Sequence, residues 1–213
     1  MPLNKIDVLG NIKFANTTLQ EASAIDLKRK YVLAASTREE EESLIVSAWL
    51  KSTYNDRLLV IVPRHPERLT EILSQLKTFN LEIAVRSKNE LPSSTTDIYI
   101  ADTFGELKQF IAGAEFVLMG GSFVPKGGHN ILEVAQLGKA VIFGPDMSNF
   151  EFEAALFLQR TAGVQCNLDE LPAIFNQLIK DSSEFEKNSI NLIKENQDIV
   201  NKYYHNIEKH IKA

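Results

Sequence analysis

Short apolar runs alternate with amphipathic stretches over residues 31–143. Six runs of four or five mostly apolar residues have the length and composition of strands buried on both faces of a parallel sheet. They are YVLAA (31–35), LLVIV (58–62), LEIAV (81–85), DIYIA (97–101), EFVLM (115–119) and AVIF (140–143). Helical periodicity fills two of the gaps, at 39–52 and 66–78, and Pro66 suits a first helical turn. This alternation predicts an α/β fold, a Rossmann-like doubly wound parallel sheet of about six strands.

The pattern becomes helical and polar from about residue 168, beginning with LDELPAIFNQLIKD and ending with NIEKHIKA. This tail has too few apolar positions to form a core of its own. We therefore expect three segments: a weakly patterned lead-in or junction at 1–30, a Rossmann-like domain at 31–190, and a C-terminal helix at 191–213. That helix is expected to pack on the domain or to reach a part of the protein outside this sequence.

Composition narrows the class of protein. The 213-residue chain has a formal net charge of −5, which argues against a broad nucleic-acid surface. Its single cysteine, Cys166, excludes an internal disulfide and a cysteine-based zinc cluster, as is usual in a reducing compartment. The N-terminal segment lacks the features of a signal peptide, and no apolar run approaches the roughly 18 residues of a membrane span. We expect a soluble chain without a membrane span.

The most unusual segment, GGSFVPKGGHN, follows the run at 115–119. Ligands of parallel sheets bind at the carboxyl ends of the strands, and glycine lets a ligand approach the backbone closely. Backbone N–H groups beside a helix start favour an anion, so the segment predicts a phosphate or carboxylate site. Asn130 is placed to cap the next helix and Glu133 to reach ribose hydroxyls. The alternative is a flexible turn followed by a solvent-facing glutamate; the pattern matches neither a GxGxxG fingerprint nor a P-loop.

The segment STREEEES follows the run at 31–35. The pairs Ser36–Glu39 and Thr37–Glu40 have the spacing of a capping box. For the four glutamates at 39–42 we favour a well-capped, solvated acidic helix start. Ser36, Thr37 and Arg38 are placed to hold a substrate oxyanion at the cleft.

Three further loops complete the set. In PRHPER, Arg64 beside His65 suits a phosphate, although an ordinary charged surface loop explains the pair equally well. No second histidine or carboxylate has the spacing to make His65 a metal ligand. In DTFGEL, Thr103 is expected to cap the helix that begins near Gly105. In GPDMSNFEFE the chain turns, and Asn149 is available to donate or to cap.

Taken together and in this order, these segments resemble the C-terminal half of 3-deoxy-D-manno-octulosonate (Kdo) transferases, which are GT-B glycosyltransferases. The resemblance runs from Gly10 to about Cys166. The segments that carry it are GNIKF (10–14), AASTREEEE (34–42), PRHPER (63–68), DTFGEL (102–107), GGSFVPKGGHNILE (120–133) and GPDMSNFEF (144–152). The chain departs from the family pattern with Arg38 for histidine, Glu40 for glycine, Ile131 and Val134 for prolines, and Asp146 for histidine.

The resemblance implies a function in lipopolysaccharide biosynthesis, at the cytoplasmic face of the bacterial inner membrane. The donor would be CMP-Kdo and the acceptor a lipid A precursor, with inversion at the anomeric carbon. A GT-B enzyme needs about twice this length. The chain would therefore be the donor-binding half, able to bind CMP and CMP-Kdo but not to transfer Kdo alone. The missing N-terminal domain would supply acceptor binding, membrane contact and the catalytic base.

The resemblance also implies a set of donor-binding residues, with no catalytic residue, metal or cofactor in this half. The set is Ser36, Thr37, Arg38, Arg64, His65, Gly120, Gly121, Ser122, Lys126, Gly127, Gly128, His129, Asn130, Glu133 and Asn149. Two other functions remain open. One is a different GT-B sugar-nucleotide enzyme, such as a UDP-sugar transferase or epimerase, and the other is a non-catalytic nucleotide-binding module.

Overall fold

A computed structural model describes residues 7, 12–14, 17–53 and 56–211. The described chain folds around one parallel sheet with helices on both faces. The strands are β1 (Tyr31–Thr37), β2 (Leu58–Pro63), β3 (Ile83–Val85), β4 (Ile98–Ile100), β5 (Val117–Met119), β6 (Val141–Phe143) and β7 (Gly163–Gln165). The helices are α1 (Glu41–Leu50), α2 (Leu69–Leu76), α3 (Leu107–Gly113), α4 (Leu132–Gln136), α5 (Glu151–Gln159), α6 (Leu171–Lys180), α7 (Ser183–Asn196) and α8 (Ile199–Ile211).

The sheet has seven strands in the order β3-β4-β2-β1-β5-β6-β7, and every neighbouring pair is parallel. The predicted Rossmann-like fold is confirmed, with one strand more than the six that the apolar runs indicated. The additional strand, β7, pairs only with β6 at the edge of the sheet. Its three residues, GVQ, include one aliphatic side chain, so an apolar run could not reveal it.

The two faces of the sheet carry separate apolar layers, because successive side chains of a strand point to opposite faces. On one face, Trp49 of α1 packs edge-on against Phe175 of α6, with ring centroids 5.3 Å apart. On the other face, buried Tyr31 donates its hydroxyl hydrogen to the Phe110 carbonyl oxygen at 2.7 Å. Each fully buried side chain of this size contributes roughly 1.5–3 kcal/mol to folding. Both layers fix the helices, and hence the loops, at the carboxyl edge of the sheet.

The predicted division at residue 191 falls inside helix α7. This helix packs against α4 through the buried side chains of Leu192 and Ile193, so its second half belongs to the core. The separate terminal helix is α8, which buries Ile199. In the lead-in, Phe14 and Leu27 also join the core. Gly10 and Asn11 of the GNIKF segment lie outside the described residues.

The direction of winding reverses at the middle of the sheet. Strand β1 lies between β2, which follows it in the chain, and β5, which starts the other half of the sheet. In open α/β sheets such a reversal leaves a crevice outside the carboxyl ends of the two central strands. The crevice here lies between the loops that follow β1 and β5, and these are the STREEEES and GGSFVPKGGHN segments.

Candidate functional site

A cavity of about 220 Å³ lies at the carboxyl ends of the central strands. It is lined by Ser36, Arg64, Leu107, Met119, His129, Asn130, Glu133 and Phe150. Five of these residues belong to the predicted set, and they come from three different loops. A second cavity of about 140 Å³ shares three lining residues with the first and extends towards Phe104 and Gly105. The two cavities form one crevice at the point where the winding reverses.

The polypeptide is strained at the mouth of the crevice. Ser36 has a φ of 56°, in the left-handed region, and the pairing of β1 with β2 shifts between Ala35 and Thr37. Such bulges re-aim side chains beside functional sites. A Cβ atom at Gly120 would lie only 2.6 Å from the Ser36 carbonyl oxygen. Gly120 is therefore required by the close approach of the bulge, which turns Ser36 into the cavity.

The first part of the glycine loop is bound to a carboxylate of the chain itself. Glu41 accepts hydrogen bonds from the N–H groups of Gly121 (2.6 Å), Ser122 (3.1 Å) and Phe123 (3.0 Å). It also accepts the N–H of Arg38 at 2.9 Å. The expectation that the amides of Gly121 and Ser122 lie open to a ligand phosphate is wrong, because Glu41 occupies them. Burial raises the pKa of Glu41, and the backbone donors partly offset that rise.

The expectation of four solvated glutamates at 39–42 is wrong for two of them, while Glu39 is partly exposed and Glu40 is exposed. Glu41 and Glu42 are both fully buried. Glu42 accepts the hydroxyl hydrogen of Thr37 at 2.9 Å and pairs with Arg68 through Nη1 at 2.9 Å and Nη2 at 3.3 Å. The capping-box pairs Ser36–Glu39 and Thr37–Glu40 are also wrong, since Glu41 and Glu42 take their place. Thr37 is buried and held by Glu42, so its hydroxyl supports the loop from behind the cavity.

Ser122 joins the glycine loop to the neighbouring loop after β6. Its hydroxyl donates to the Met119 carbonyl oxygen at 2.6 Å and accepts the N–H of Gly144 at 2.7 Å. The side chain is fully buried. Ser122 therefore lies behind the loop surface, and its role in the structure is to hold the two loops together.

The second glycine pair is held in a similar way. The N–H of Gly127 donates to the Asp146 carboxylate at 2.7 Å, and that of Gly128 donates to the Gly121 carbonyl oxygen at 2.7 Å. Asn149 donates its side-chain amide to the Lys126 carbonyl oxygen at 3.2 Å. A Cβ atom at Gly127 would lie 2.1 Å from the Asn149 amide nitrogen, so this contact requires glycine. The Lys126–Gly128 segment and Asn149 thus form a clamp between two loops, outside the lining of the 220 Å³ cavity.

Basic and imidazole side chains from three loops, those after β1, β2 and β5, gather at the crevice. Arg38 Nη1 lies 2.7 Å from His65 Nε2. Since arginine only donates, this nitrogen of His65 accepts, which places the proton on Nδ1, 3.4 Å from the Glu67 carboxylate. Burial, reinforced by neighbouring cationic side chains, lowers the pKa of His129 to about 4. Within the described residues, the exposed Arg64 guanidinium forms no hydrogen bond or ion pair.

Asn130 and Glu133 lie on the same side of the cavity. The side-chain Oδ1 of Asn130 accepts the N–H of Leu132 at 3.1 Å, and the side-chain Nδ2 of Asn130 donates to Glu133 Oε1 at 3.4 Å. Asn130 therefore supports the start of α4, although Ile131 occupies the N-cap position. The partly exposed Glu133 lines the cavity as the second residue of α4, in the first turn of the helix.

The DTFGEL loop is organised differently from the prediction. Thr103 does not cap a helix; its hydroxyl donates to Glu106, which is itself the N-cap residue of α3. Glu106 forms a two-pronged ion pair with Arg86, with N···O distances of 2.7 and 2.5 Å. Hydrogen bonding to Arg86 lowers the pKa of Glu106. This pair fixes the loop that carries the 81%-exposed Phe104 beside the second cavity.

The sequence analysis missed the acidic residues that hold these loops, above all Glu41, Glu42 and Glu106. Each is one of several glutamates in a charged segment, and only the packed loops distinguish the buried ones. In the part of the chain that the structure describes, no helix is long and apolar enough to span a membrane. Nor do the described histidine, cysteine and acidic side chains include a group of three or more suited to a metal ion.

Comparison with known proteins identifies the family, although no protein-family model matches the chain. The 3-deoxy-D-manno-octulosonic acid transferase of Rickettsia conorii is 38% identical over 216 residues, covering 94% of the chain and 46% of that protein. The Haemophilus influenzae 3-deoxy-D-manno-octulosonic acid transferase is 32% identical over 198 residues, covering 87% of the chain and 46% of that protein.

A solved structure agrees with these relatives. The crystal structure of the C-terminal CMP-Kdo binding domain of WaaA from Acinetobacter baumannii superimposes with a TM-score of 0.73 at 28% identity. The match covers 78% of this chain and 89% of that one. The chain spans about half the length of the curated relatives it matches. It therefore belongs to the 3-deoxy-D-manno-octulosonic acid transferase family and corresponds to the C-terminal, Rossmann-like half of a GT-B enzyme.

Proposed function

We propose that this chain is the donor-binding domain of a Kdo transferase and that it binds CMP-Kdo in the crevice at the carboxyl ends of β1 and β5. One observation carries the proposal. Five residues predicted from separate loops line a single cavity at the reversal of the sheet, in a chain of this family. The acidic chain presents cationic and polar side chains at this edge, which suits a ligand with negative charge.

Three cavity residues are free to contact the nucleotide. The Arg64 guanidinium is exposed and forms no hydrogen bond or ion pair within the described residues, so it is available to the phosphate. Ser36 places its hydroxyl at the same cavity. Glu133 lies across from them and is the candidate partner of the ribose hydroxyls. Arginine suits this role because its planar fork binds phosphate oxygens two at a time.

The same cations would assist transfer. Negative charge develops on the departing CMP as its bond to the sugar breaks, and fixed positive groups stabilise that charge without reorganising. CMP carries one phosphate, which a few side chains can neutralise. We therefore propose donor binding without a metal ion, with Arg64 as the main phosphate cation. The inverting attack needs a base and an acceptor, which we assign to the other half of the enzyme.

The remaining half would complete the enzyme at the cytoplasmic face of the inner membrane, with a lipid A precursor as acceptor. Helix α8 is the proposed contact with that half. It leaves Val200, Tyr204, Ile207 and Ile211 exposed along one side. Without the second half, the chain is expected to bind the donor but not to transfer Kdo.

Calorimetric titration of the 213-residue chain with CMP and UMP tests the proposal. We expect CMP to bind and UMP to bind at least about tenfold more weakly, the effect of about 1.4 kcal/mol. Arg64→Ala should remove most CMP binding. The matched control is Arg160→Ala, since Arg160 is half exposed and pairs with Glu195 rather than lining the crevice.

Three outcomes would count against it. Undetectable CMP binding would leave the domain without its proposed ligand. Equal or tighter binding of UMP would favour a UDP-sugar enzyme. Equal losses in Arg64→Ala and Arg160→Ala would show that any loss of positive charge weakens binding and that the crevice is not the site.

A further inference from the structure

Two side chains with unpaired nitrogen atoms, Arg38 and His129, flank Gly121 beside the main cavity. A Cβ atom at Gly121 would lie 3.0 Å from His129 Nε2 and 3.6 Å from Arg38 Cγ. The Nε atom of Arg38 and the Nε2 atom of His129 are both buried, and neither has a hydrogen-bond partner among the described residues. Leaving buried donors unsatisfied costs about 1–3 kcal/mol each. Such atoms on either side of a residue without a side chain mark a place where a ligand oxygen would be stabilised.

The position of Arg38 is set by two other residues. Its backbone N–H donates to Glu41 at 2.9 Å, and its Nη1 donates to His65 Nε2 at 2.7 Å. His65 in turn faces the Glu67 carboxylate through Nδ1 at 3.4 Å. The hydrogen bond to His65 engages Nη1 of the guanidinium and leaves the buried Nε–H without a partner among the described residues. The arrangement therefore holds an arginine whose other donors are available in a fixed direction.

We propose that Arg38 and His129 form a second anion subsite, which takes the carboxylate of the donor sugar, and that His65 is the positioning residue for Arg38. This inference rests on the proposed function. A 2-ulosonic acid carries its carboxylate on the anomeric carbon, the same carbon that bears the phosphate of its CMP ester. The two anions must consequently bind side by side. His129 meets this condition, because it lines the main cavity with Arg64 and also flanks Gly121 with Arg38.

The Arg64 position and the Gly121 position suit the two different anions of the donor. Arg64 is exposed and supplies a full charge to a phosphate that also contacts solvent. The Gly121 position instead offers one cation and one uncharged imidazole, because His129 has a pKa of about 4. The tautomer of His129 with its proton on Nε2 would donate to a ligand oxygen there. A guanidinium and an uncharged imidazole suit a monoanionic carboxylate, with one carboxylate oxygen on Arg38 and the other on His129.

Titration of the 213-residue chain with CMP and CMP-Kdo separates the two subsites. Arg38→Ala should weaken CMP-Kdo about 10- to 100-fold, the loss of a hydrogen bond to a charged group, and CMP by less than about threefold. Arg64→Ala should weaken both ligands by the same factor. His65→Ala should lower CMP-Kdo affinity by about threefold to tenfold, with partial recovery in His65→Gln, whose carbonyl oxygen can accept from Arg38.

Each outcome decides the question. If the unaltered chain does not bind CMP, the proposed function fails and takes this inference with it. If CMP binds but Arg38→Ala weakens both ligands equally, Arg38 belongs to the phosphate and only this inference is overturned. If Arg38→Ala unfolds, Arg38→Lys keeps the charge and removes the Nε–H; selective weakening of CMP-Kdo supports the subsite, and unchanged selectivity refutes it. If His65→Ala loses affinity for CMP and CMP-Kdo alike and also loses thermal stability, His65 supports the fold and does not position Arg38.

Discussion

The Glu41 carboxylate accepts the N–H of Gly121 at 2.6 Å across 80 positions of sequence. This bond joins the loop after β1 to the loop after β5, the two loops that enclose the crevice. The same carboxylate also accepts the N–H groups of Ser122 and Phe123, so three consecutive amides of the turn are bound to one buried anion. The backbone N–H groups of the glycine loop are thus used to hold the two loops together, and the 220 Å³ cavity beside them is lined by side chains such as Ser36, Arg64 and His129.

Replacing Glu41 with glutamine tests this assembly. Both carboxylate oxygens of Glu41 accept backbone N–H groups. Glutamine has nearly the same shape, but its NH₂ group would face one or more of these N–H groups. At least one buried donor therefore loses its partner. We expect the free energy of unfolding to fall by about 2–4 kcal/mol, from one or two unsatisfied buried donors. Urea denaturation at neutral pH measures this change in the free energy of unfolding. Glu39→Gln is the control, because Glu39 is partly exposed, and a loss as large there would show that the effect is not specific to Glu41.

Replacing Glu40 with glycine should stabilise the chain. Glu40 has a φ of 74°, in the left-handed region, where a side chain costs about 1–2 kcal/mol and glycine does not. Glycine also gains entropy in the unfolded chain, so we expect a net increase of about 0.5–1 kcal/mol in the free energy of unfolding. The resemblance places glycine here in the family, which the backbone explains. Thermal and urea unfolding measure the change.

The neighbouring residue provides the comparison for Glu40. Glu39 is not among the residues with positive φ, so Glu39→Gly brings the entropic cost of glycine and should destabilise the chain by about 1 kcal/mol. The partly exposed ion pairs of Glu39 with Arg68 and Lys126, which this variant also removes, act in the same direction. Opposite signs at these adjacent positions would confirm that conformation decides the effect. If both variants are destabilised, relief of the left-handed strain does not outweigh the entropy.

His129 should make stability depend on pH. Its pKa is about 4 in the folded chain, against an ordinary value of 6.5. Between these values the unfolded chain binds a proton that the folded chain excludes, so the free energy of unfolding should rise as pH increases from 4 to 6.5. His129→Asn should reduce this slope, and His205→Asn, on exposed α8, should leave it unchanged. Urea unfolding at several pH values measures both; equal slopes in all three proteins would contradict the low pKa.

The sequence predicted the sheet well because each strand is specified locally. Runs such as LLVIV at 58–62 need no knowledge of their neighbours to be recognised as buried strands. The same locality explains the failures. Nothing near Glu41 or Glu42 distinguishes them from Glu39 and Glu40, since burial depends on a loop 80 positions away. Likewise, the positive φ of Ser36 follows from its packing against Gly120, which no local motif records.

The residues that line the cavity were predictable where their side chains do not hold the loops together. Arg64, His129 and Glu133 have unusual side chains at strand ends, and all three line the cavity. Ser122 and Gly127 occur in the same motif, yet both hold loops together. A motif therefore combines residues that shape the site with residues that contact the ligand, and only the three-dimensional contacts separate the two classes.

The role assigned to Glu133 can be tested with a ligand that lacks the groups it would bind. Glu133→Ala should weaken CMP by about 1.5–3 kcal/mol, the loss of a hydrogen bond to a charged group. The unaltered chain should bind 2′,3′-dideoxy-CMP more weakly than CMP, because this ligand lacks the ribose hydroxyls. Glu133→Ala should have little additional effect on its binding, since the hydrogen bond that the variant removes is already absent. Calorimetry of the four combinations gives the coupling energy. Glu151→Ala, on α5 outside the main cavity, serves as the control for lost negative charge. If the two losses simply add, Glu133 does not bind the ribose hydroxyls, and its 3.4 Å approach to the Asn130 amide would be its role at the cavity wall.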